Sequence, residues 1–291
     1  MSTSTYLAQA QKNLKEQPWS LYAGQLGVLI RNEVGRNLFS RRRLWVYFLA
    51  FIPVVFLLIR NIVSRGQFDA AYLQDQTEAL AILIQLYYLR IGIFFACMGI
   101  FTWLIRGEVV QRTLHYQFLA PVRREVLVIG KFLAGCIVSI VLFEIAVLGS
   151  FYLFYSRYGA AGRSYMFDGP GLGQLGSYLL VTALACIGYG AVFLALSLLF
   201  KNPIVPGAIL LGWEAISPIF PSWAQHLSVT FYLKHLCPTT LANTGFMALF
   251  TVVPEPVSPF VSIFGLCCLA LAVLVLSCFL IRRLEIMYTA E

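Results

Sequence analysis

The sequence predicts an all-α integral membrane protein: six transmembrane helices, an N-terminal interfacial helix, a helical cytoplasmic loop and an apolar external re-entrant segment. Three observations carry this. Hydrophobic residues fill 59% of the 291 positions and charged residues 12%, with a mean hydropathy of +0.79, whereas a soluble domain carries roughly 25% charged residues. The apolar residues gather in blocks long enough to cross a hydrocarbon core, which takes about 20 residues at a helical rise. Short polar segments separate these blocks, as expected where each span must satisfy its backbone polar groups within its own helix.

Residues 1–43 read as a cytoplasmic N-terminus. Lys12, Lys15, Glu16, Arg31 and Glu33 precede any apolar core, which excludes a cleavable signal as the reading of this segment. Within it, residues 20–40 set Leu26, Ile30, Val34 and Leu38 at i, i+4 spacing among Arg31, Glu33, Arg36 and Asn37, and end at Arg41-Arg42-Arg43. That pattern predicts an amphipathic helix along the cytoplasmic leaflet. The membrane domain, 44–281, holds spans near 44–62, 80–105, 126–154, 174–200, 204–220 and 260–281. The third is longer than a bilayer requires, so its first turns near Lys131 either protrude into the cytoplasm or the helix tilts. Lys201-Asn202-Pro203 predicts a tight turn before the short fifth span.

The stretch 221–259 contains Val229, Phe231, Tyr232, Leu233, Phe246, Met247, Leu249 and Phe250 between prolines at 221, 238, 254, 256 and 259. It is too apolar for a free loop and reads as short helices dipping into the outer leaflet, packed against the bundle. Residues 282–291 form a cytoplasmic tail.

With six spans and the N-terminus inside, 15 of the 21 Lys and Arg residues fall in cytoplasmic segments and five outside, with Arg90 within a span. This bias predicts that both termini are cytoplasmic. The net charge of +8 does not indicate nucleic acid, because the basic residues flank apolar blocks and form no separate face; topology and anionic lipid account for them. Six of the seven cysteines lie in apolar blocks and read as small packing residues, and Cys237 alone is external, so no disulfide framework is expected.

Catalytic signatures are missing. Ile129-Gly130-Lys131 is not a phosphate loop, since that motif needs Gly at 125 and Ser or Thr at 132, where Glu125 and Phe132 stand. The histidines 115, 226 and 235 have no partners at metal-ligand spacing, so no metal site is expected. The intramembrane charges Arg90, Glu144 and Glu214 are more informative, because an ionised side chain at mid-bilayer costs about 3 kcal/mol or more. At 1.5 Å per residue, Arg90 and Glu144 each lie ~15 Å below the outer surface on neighbouring antiparallel helices, a placement that suits an ion pair; the alternative is that each faces water separately. Glu214, ~9 Å deep, reaches the external interface or a vestibule.

The segment Arg106-Gly107-Glu108-Val109-Val110-Gln111-Arg112-Thr113-Leu114, then Phe118-Leu119-Ala120-Pro121-Val122-Arg123-Arg124-Glu125 and Gly130-Lys131, resembles the type-2 ABC exporter permeases. In that family a Gly-Glu, Thr-Leu, Leu-x-x-Pro-x-(Ser/Arg)-Arg and Gly-Lys series links the second and third spans. His115-Tyr116-Gln117 departs from the family's Leu-rich continuation. The resemblance implies a transport subunit that forms half of a homodimeric or heterodimeric pathway and docks a separate nucleotide-binding ATPase subunit on the 106–125 loop as a coupling helix; short loops and the lack of a targeting segment point to the cell (inner) membrane of a bacterium. It implies contact through Gly107, Glu108, Val110, Arg112, Thr113, Leu114, Phe118, Leu119, Pro121, Arg123 and Arg124. ATP and Mg would then sit on the partner, with no cofactor on this chain. Two other classes stay open: an intramembrane enzyme using Arg90, Glu144 and Glu214 on a lipid, and a non-transporting assembly subunit.

Overall fold

A computed structural model describes residues 19–38, 44–63, 73–111, 123–200, 202–217, 220–239 and 258–283. Every regular element among them is helical. Helix α1 (Trp19–Leu38) precedes α2 (Leu44–Val63). In α2 the buried side chains Val46, Ala50, Pro53 and Leu57 form one stripe, leaving Phe48, Val55, Phe56, Ile59 and Ile62 exposed to what the composition makes a lipid surround.

Helix α3 (Leu73–Ile82) runs without interruption into a π-helical stretch (Leu83–Gly92) and then α4 (Ile93–Val110). Helix α5 (Arg124–Ser156) follows, then α6 (Gly159–Phe167), α7 (Gly171–Leu199), α8 (Ile204–Ile216), α9 (Ser222–Gln225), α10 (Val229–Leu236) and α11 (Pro259–Arg283).

Five of these segments are long and apolar enough to cross a membrane: Leu44–Val63, Thr77–Val110, Arg124–Ser156, Gly171–Leu199 and Pro259–Arg282. The apolar helix α8 is shorter, at 13 residues, about 20 Å of helix against a hydrocarbon core of about 30 Å. Helices α5 and α7 are central, packed on each other and on α4, while α1 and α2 lie against α5 and α11 lies against α7. Close approach at the centre depends on two glycines. A Cβ at Gly135 of α5 would meet Phe101 Cε1 at 2.6 Å, and one at Gly190 of α7 would meet Phe101 Cζ at 2.5 Å. The Phe101 ring of α4 is therefore gripped between two bare helix backbones, the small-residue packing that joins helices in lipid.

The structure departs from or adds to the sequence-based expectations in three places. The second span runs to Val110 and not to 105, because Gly107 and Glu108 are buried and belong to the bundle. Helix α6 lies between the third and fourth predicted spans, where the sequence analysis names no element. Lys131, read only as lying where the long third span protrudes or tilts, has a side chain that is 1% exposed, with carboxylates converging on it from two other helices. The expected short helices within 221–259 are present as α9 and α10; residues 240–257 lie outside the described residues.

Candidate functional site

Four charged side chains from three helices meet at one end of the bundle. Leu26, Ile30, Glu33 and Asn37 follow one another at i, i+4, i+7 and i+11, so the face that α1 lays on α5 carries a carboxylate and an amide in its second half. Glu33 and Asn37 are both buried. The last turn of α4 supplies Glu108, and the second turn of α5 supplies Lys131. Lys131 Nζ lies 2.9 Å from Glu33 Oε1 and 2.8 Å from Glu108 Oε1, and donates to the Leu104 carbonyl at 3.1 Å. Arg36 Nη2 lies 2.6 Å from Glu108 Oε1 and 3.2 Å from Glu33 Oε2.

The side chains of Glu33 and Glu108 are 5% and 2% exposed, whereas Arg36 is 48% exposed and forms the solvent-side edge. Burial works against the Arg36 charge, yet its hydrogen bond to Glu108 and the charges of Glu33 and Glu108 hold its pKa above the ordinary value. Two carboxylates face two cations here, the pairing under which buried charge is tolerable; breaking a buried pair by removing one partner costs about 3–5 kcal/mol.

The connector between α4 and α5 leaves and returns beside this cluster. On its entry side Glu108 is held as described, and Gln111 closes the helix through its N–H to the Gly107 carbonyl at 3.0 Å. On its exit side the Arg123 guanidinium lies 4.9 Å over the Tyr22 ring of α1. Arg124 Nη1 donates to the Ile281 and Arg282 carbonyls of α11 at 3.5 and 3.3 Å, and Glu125 pairs with Arg282. Tyr47 of α2 donates to the Leu38 carbonyl at 2.7 Å, fixing the end of α1. Both feet of the connector are thus anchored to the same framework.

Of the residues expected to meet a partner ATPase, Gly107 and Glu108 are buried in this framework, Val110 is 73% exposed, and Arg123 and Arg124 flank the start of α5. Arg112, Thr113, Leu114, Phe118, Leu119 and Pro121 lie outside the described residues. Glu33, Arg36 and Lys131 were not singled out by sequence reasoning as one site. Their signals were present: a lysine inside an apolar block, and a carboxylate within the apolar stripe of an amphipathic helix.

For the intramembrane charges the sequence left pairing and separate placement both open. Among the described residues no ion pair joins Arg90 to Glu144; Arg90 sits within electrostatic reach of Tyr189 and Glu214. The depth argument assumed a regular α-helix, but Arg90 lies in the ten-residue π-helical stretch, whose wider turn redirects the side chains that follow. Glu144 is half-buried on α5.

Glu214 is buried at 3% exposure and caps α10. It accepts from Val229 N and Thr230 N at 3.0 Å each and from Ser228 Oγ at 2.5 Å. Placing a carboxylate against these unpaired amides satisfies both partners and favours the helix dipole. Gln85 of the π-helical stretch donates to the Thr239 carbonyl at 2.7 Å, and the Tyr189 hydroxyl of α7 lies 3.0 Å from Thr230 Oγ1. Burial lowers the Lys234 pKa to about 8, with the Arg90 charge adding to the shift and Glu214 opposing it. Among the described residues no three His, Cys, Asp or Glu side chains are placed to hold a metal ion.

A family model described as an ABC-2 family transporter protein matches residues 39–212, more than half of the chain. The chain belongs to the ABC-2 transporter family. No curated protein matches it. The ABC-2 match runs from just ahead of α2 to within α8, and so includes Glu108, Lys131 and the connector, while Glu33 and Arg36 lie before it and α9 to α11 after it. This protein is accordingly a multi-pass membrane permease, a transport subunit of the ABC-2 family.

Proposed function

We propose that this permease is one half of a dimeric, ATP-driven exporter of the cell inner membrane, docking a separate nucleotide-binding subunit on residues 106–125. ATP and Mg bind the partner, the second permease chain is a copy or a close counterpart, and α8 serves as the short fifth of six spans with both termini cytoplasmic.

The observation that carries this reading is the charge cluster. A connector meant only to join two spans needs no anchoring, yet here its two feet are fixed by Glu108 to α1 and α5, and by Arg123, Arg124 and Glu125 to α1 and α11. Force applied to such a connector moves α1, α4 and α5 as a body, the rigid-body switching that alternating access requires. Exposed Val110 begins the apolar face that a groove on the ATPase would take, with Arg112, Arg123 and Arg124 as rim charges.

The test is affinity purification of the tagged chain from its native membrane under gentle extraction. A co-purifying ATPase is expected, and it should be lost when residues 112–120 are replaced by a Gly/Ser linker while Glu108 and the anchored feet are kept. Absence of an ATPase, or its retention on the linker variant, overturns the docking assignment.

A further inference from the structure

One intramembrane charge stands outside both polar clusters. Glu144 lies within α5, about 18 Å of helix before its end at Ser156. Among the described residues it makes no hydrogen bond and no ion pair. It is half-buried, so part of its side chain reaches the surface of the bundle.

The surface it reaches is apolar. Ile137, Val141, Ile145, Leu148 and Tyr152 are exposed on α5, and their spacing of three or four residues makes them one stripe along the helix. Glu144 stands one turn from both Val141 and Leu148, at the edge of that stripe. Helix α2 borders the stripe on one side, where a Cβ at Gly149 would meet Val54 at 3.6 Å. Helix α11 borders it on the other, sharing a cleft with Ile129. No Lys, Arg or His occurs between Ile137 and Tyr152. An ionised side chain at this depth is costly in hydrocarbon, and in membrane proteins such a residue marks a pathway or a ligand site.

We propose that this stripe binds a hydrophobic monovalent cation, with Glu144 pairing the positive centre and Ile145, Leu148 and Tyr152 covering its apolar body. Charge complementarity selects the occupant. An acyl chain would leave the carboxylate without a counter-charge. A second copy of the chain, brought up to the stripe about a two-fold axis, presents the same stripe, which offers another Glu144 and no cation. A cation on an apolar frame answers both parts of the surface. That such a cation is also the cargo rests on the exporter reading above; the binding itself does not, and it is measured on this chain alone, without ATP.

The test is equilibrium binding of radiolabelled tetraphenylphosphonium to the full purified chain in phosphatidylcholine nanodiscs, with binding to empty nanodiscs subtracted. Saturable binding is expected. Excess triphenylphosphine oxide, similar in shape but uncharged, should not displace the cation. Glu144→Gln keeps the shape and removes the charge, and should weaken binding about tenfold, the loss of one partly desolvated charge pair; Glu144→Asp should keep most of the affinity.

Binding that Glu144→Gln leaves unchanged overturns the proposal. So does displacement by the neutral oxide, which would make the stripe an unselective apolar surface. Absence of binding overturns it equally, whether lipid or a second copy then covers the stripe. Should a variant fail to fold, the unmodified protein decides. Tetraphenylphosphonium should slow the labelling of Glu144 by a hydrophobic carbodiimide, followed by peptide mass spectrometry, and triphenylphosphine oxide should not; equal labelling rates with the two compounds sink the idea.

Discussion

Replacing Lys131 with Met is the sharpest probe of the charge cluster. The lysine ammonium contacts Glu33 at 2.9 Å, Glu108 at 2.8 Å and the Leu104 carbonyl at 3.1 Å, and Met restores its bulk without its charge. Two carboxylates then share one buried site without the lysine, while the half-exposed Arg36 already engages both. Breaking a buried pair in this way costs about 3–5 kcal/mol. In the double variant Lys131→Met with Glu108→Gln, Arg36 and Glu33 still balance each other, and the amide of residue 108 can accept from Arg36. The remaining cost is that of a few altered neutral hydrogen bonds, about 1–2 kcal/mol. The second substitution should therefore recover about 2–3 kcal/mol of what the first loses, at the upper end of couplings between contacting residues. Reversible unfolding in mixed micelles by SDS titration gives the free energies, and thermal unfolding in detergent should show the single variant lower by about 10 °C. If the two substitutions add without coupling, to within about 0.5 kcal/mol, the lysine does not hold the two carboxylates together and the cluster has been misread.

Three further outcomes are expected. Lys234, with its pKa lowered to about 8 chiefly by burial, should acylate half-maximally near pH 8 where a solvated lysine does so near about 10.4; Glu214→Gln, by removing the opposing charge, should move that midpoint lower still. Because the folded state then binds fewer protons than the unfolded state between those two pH values, stability should rise with pH across that window, as read by unfolding at pH 7.5 and 9.5. Gly135→Val should overpack Phe101 and cost about 1–3 kcal/mol, and Phe101→Leu in the same chain should recover part of it; a Gly135→Val variant as stable as the parent would mean that the three helices are not in close contact there. Replacing all four cluster residues by apolar side chains of similar volume (Glu33→Leu, Arg36→Leu, Glu108→Leu, Lys131→Met) should leave unfolding free energy equal or higher, while ATPase stimulation by the permease falls sharply in the reconstituted complex.

Much of the architecture was legible because lipid imposes a length rule: α2, α5, α7 and α11 fall within a few residues of the apolar blocks that predicted them. The apolar stripe from Leu26 onward likewise gave α1. What length could not give was direction. The depths of Arg90 and Glu144 were computed for regular helices, and a π-helical stretch at Leu83–Gly92 changes the face on which Arg90 emerges without changing its block. The contribution of Glu214 was obscured for a related reason: its partners are backbone amides at the start of α10, and no residue-type pattern marks those. Lys131 is the most instructive case. Its position at the start of a long block left protrusion and tilt both open, and neither foretold that carboxylates from α1 and α4 converge on it.

The ionic character of that cluster calls for a reason, since stability alone does not supply one. Buried charges repay their desolvation only when geometry is good, and apolar substitutes of equal volume are often as stable or more so. What charges add is selectivity of arrangement. A leucine cluster tolerates a slide or rotation of α1 by part of a turn, exchanging one apolar contact for another; Lys131 against two carboxylates tolerates none, because any slide leaves a buried ion without its partner. Helix α1 is therefore held in one register against α4 and α5 at the very end of the helices from which the connector departs. A partner that pushes on the connector then faces a unit that moves whole or not at all, and an apolar replacement would be expected to spend part of that displacement on local slippage. For that reason the fourfold apolar variant separates the two roles: unchanged coupling in a stable protein would mean that the cluster serves the fold alone, and lost coupling at full stability would mean that its value lies in register.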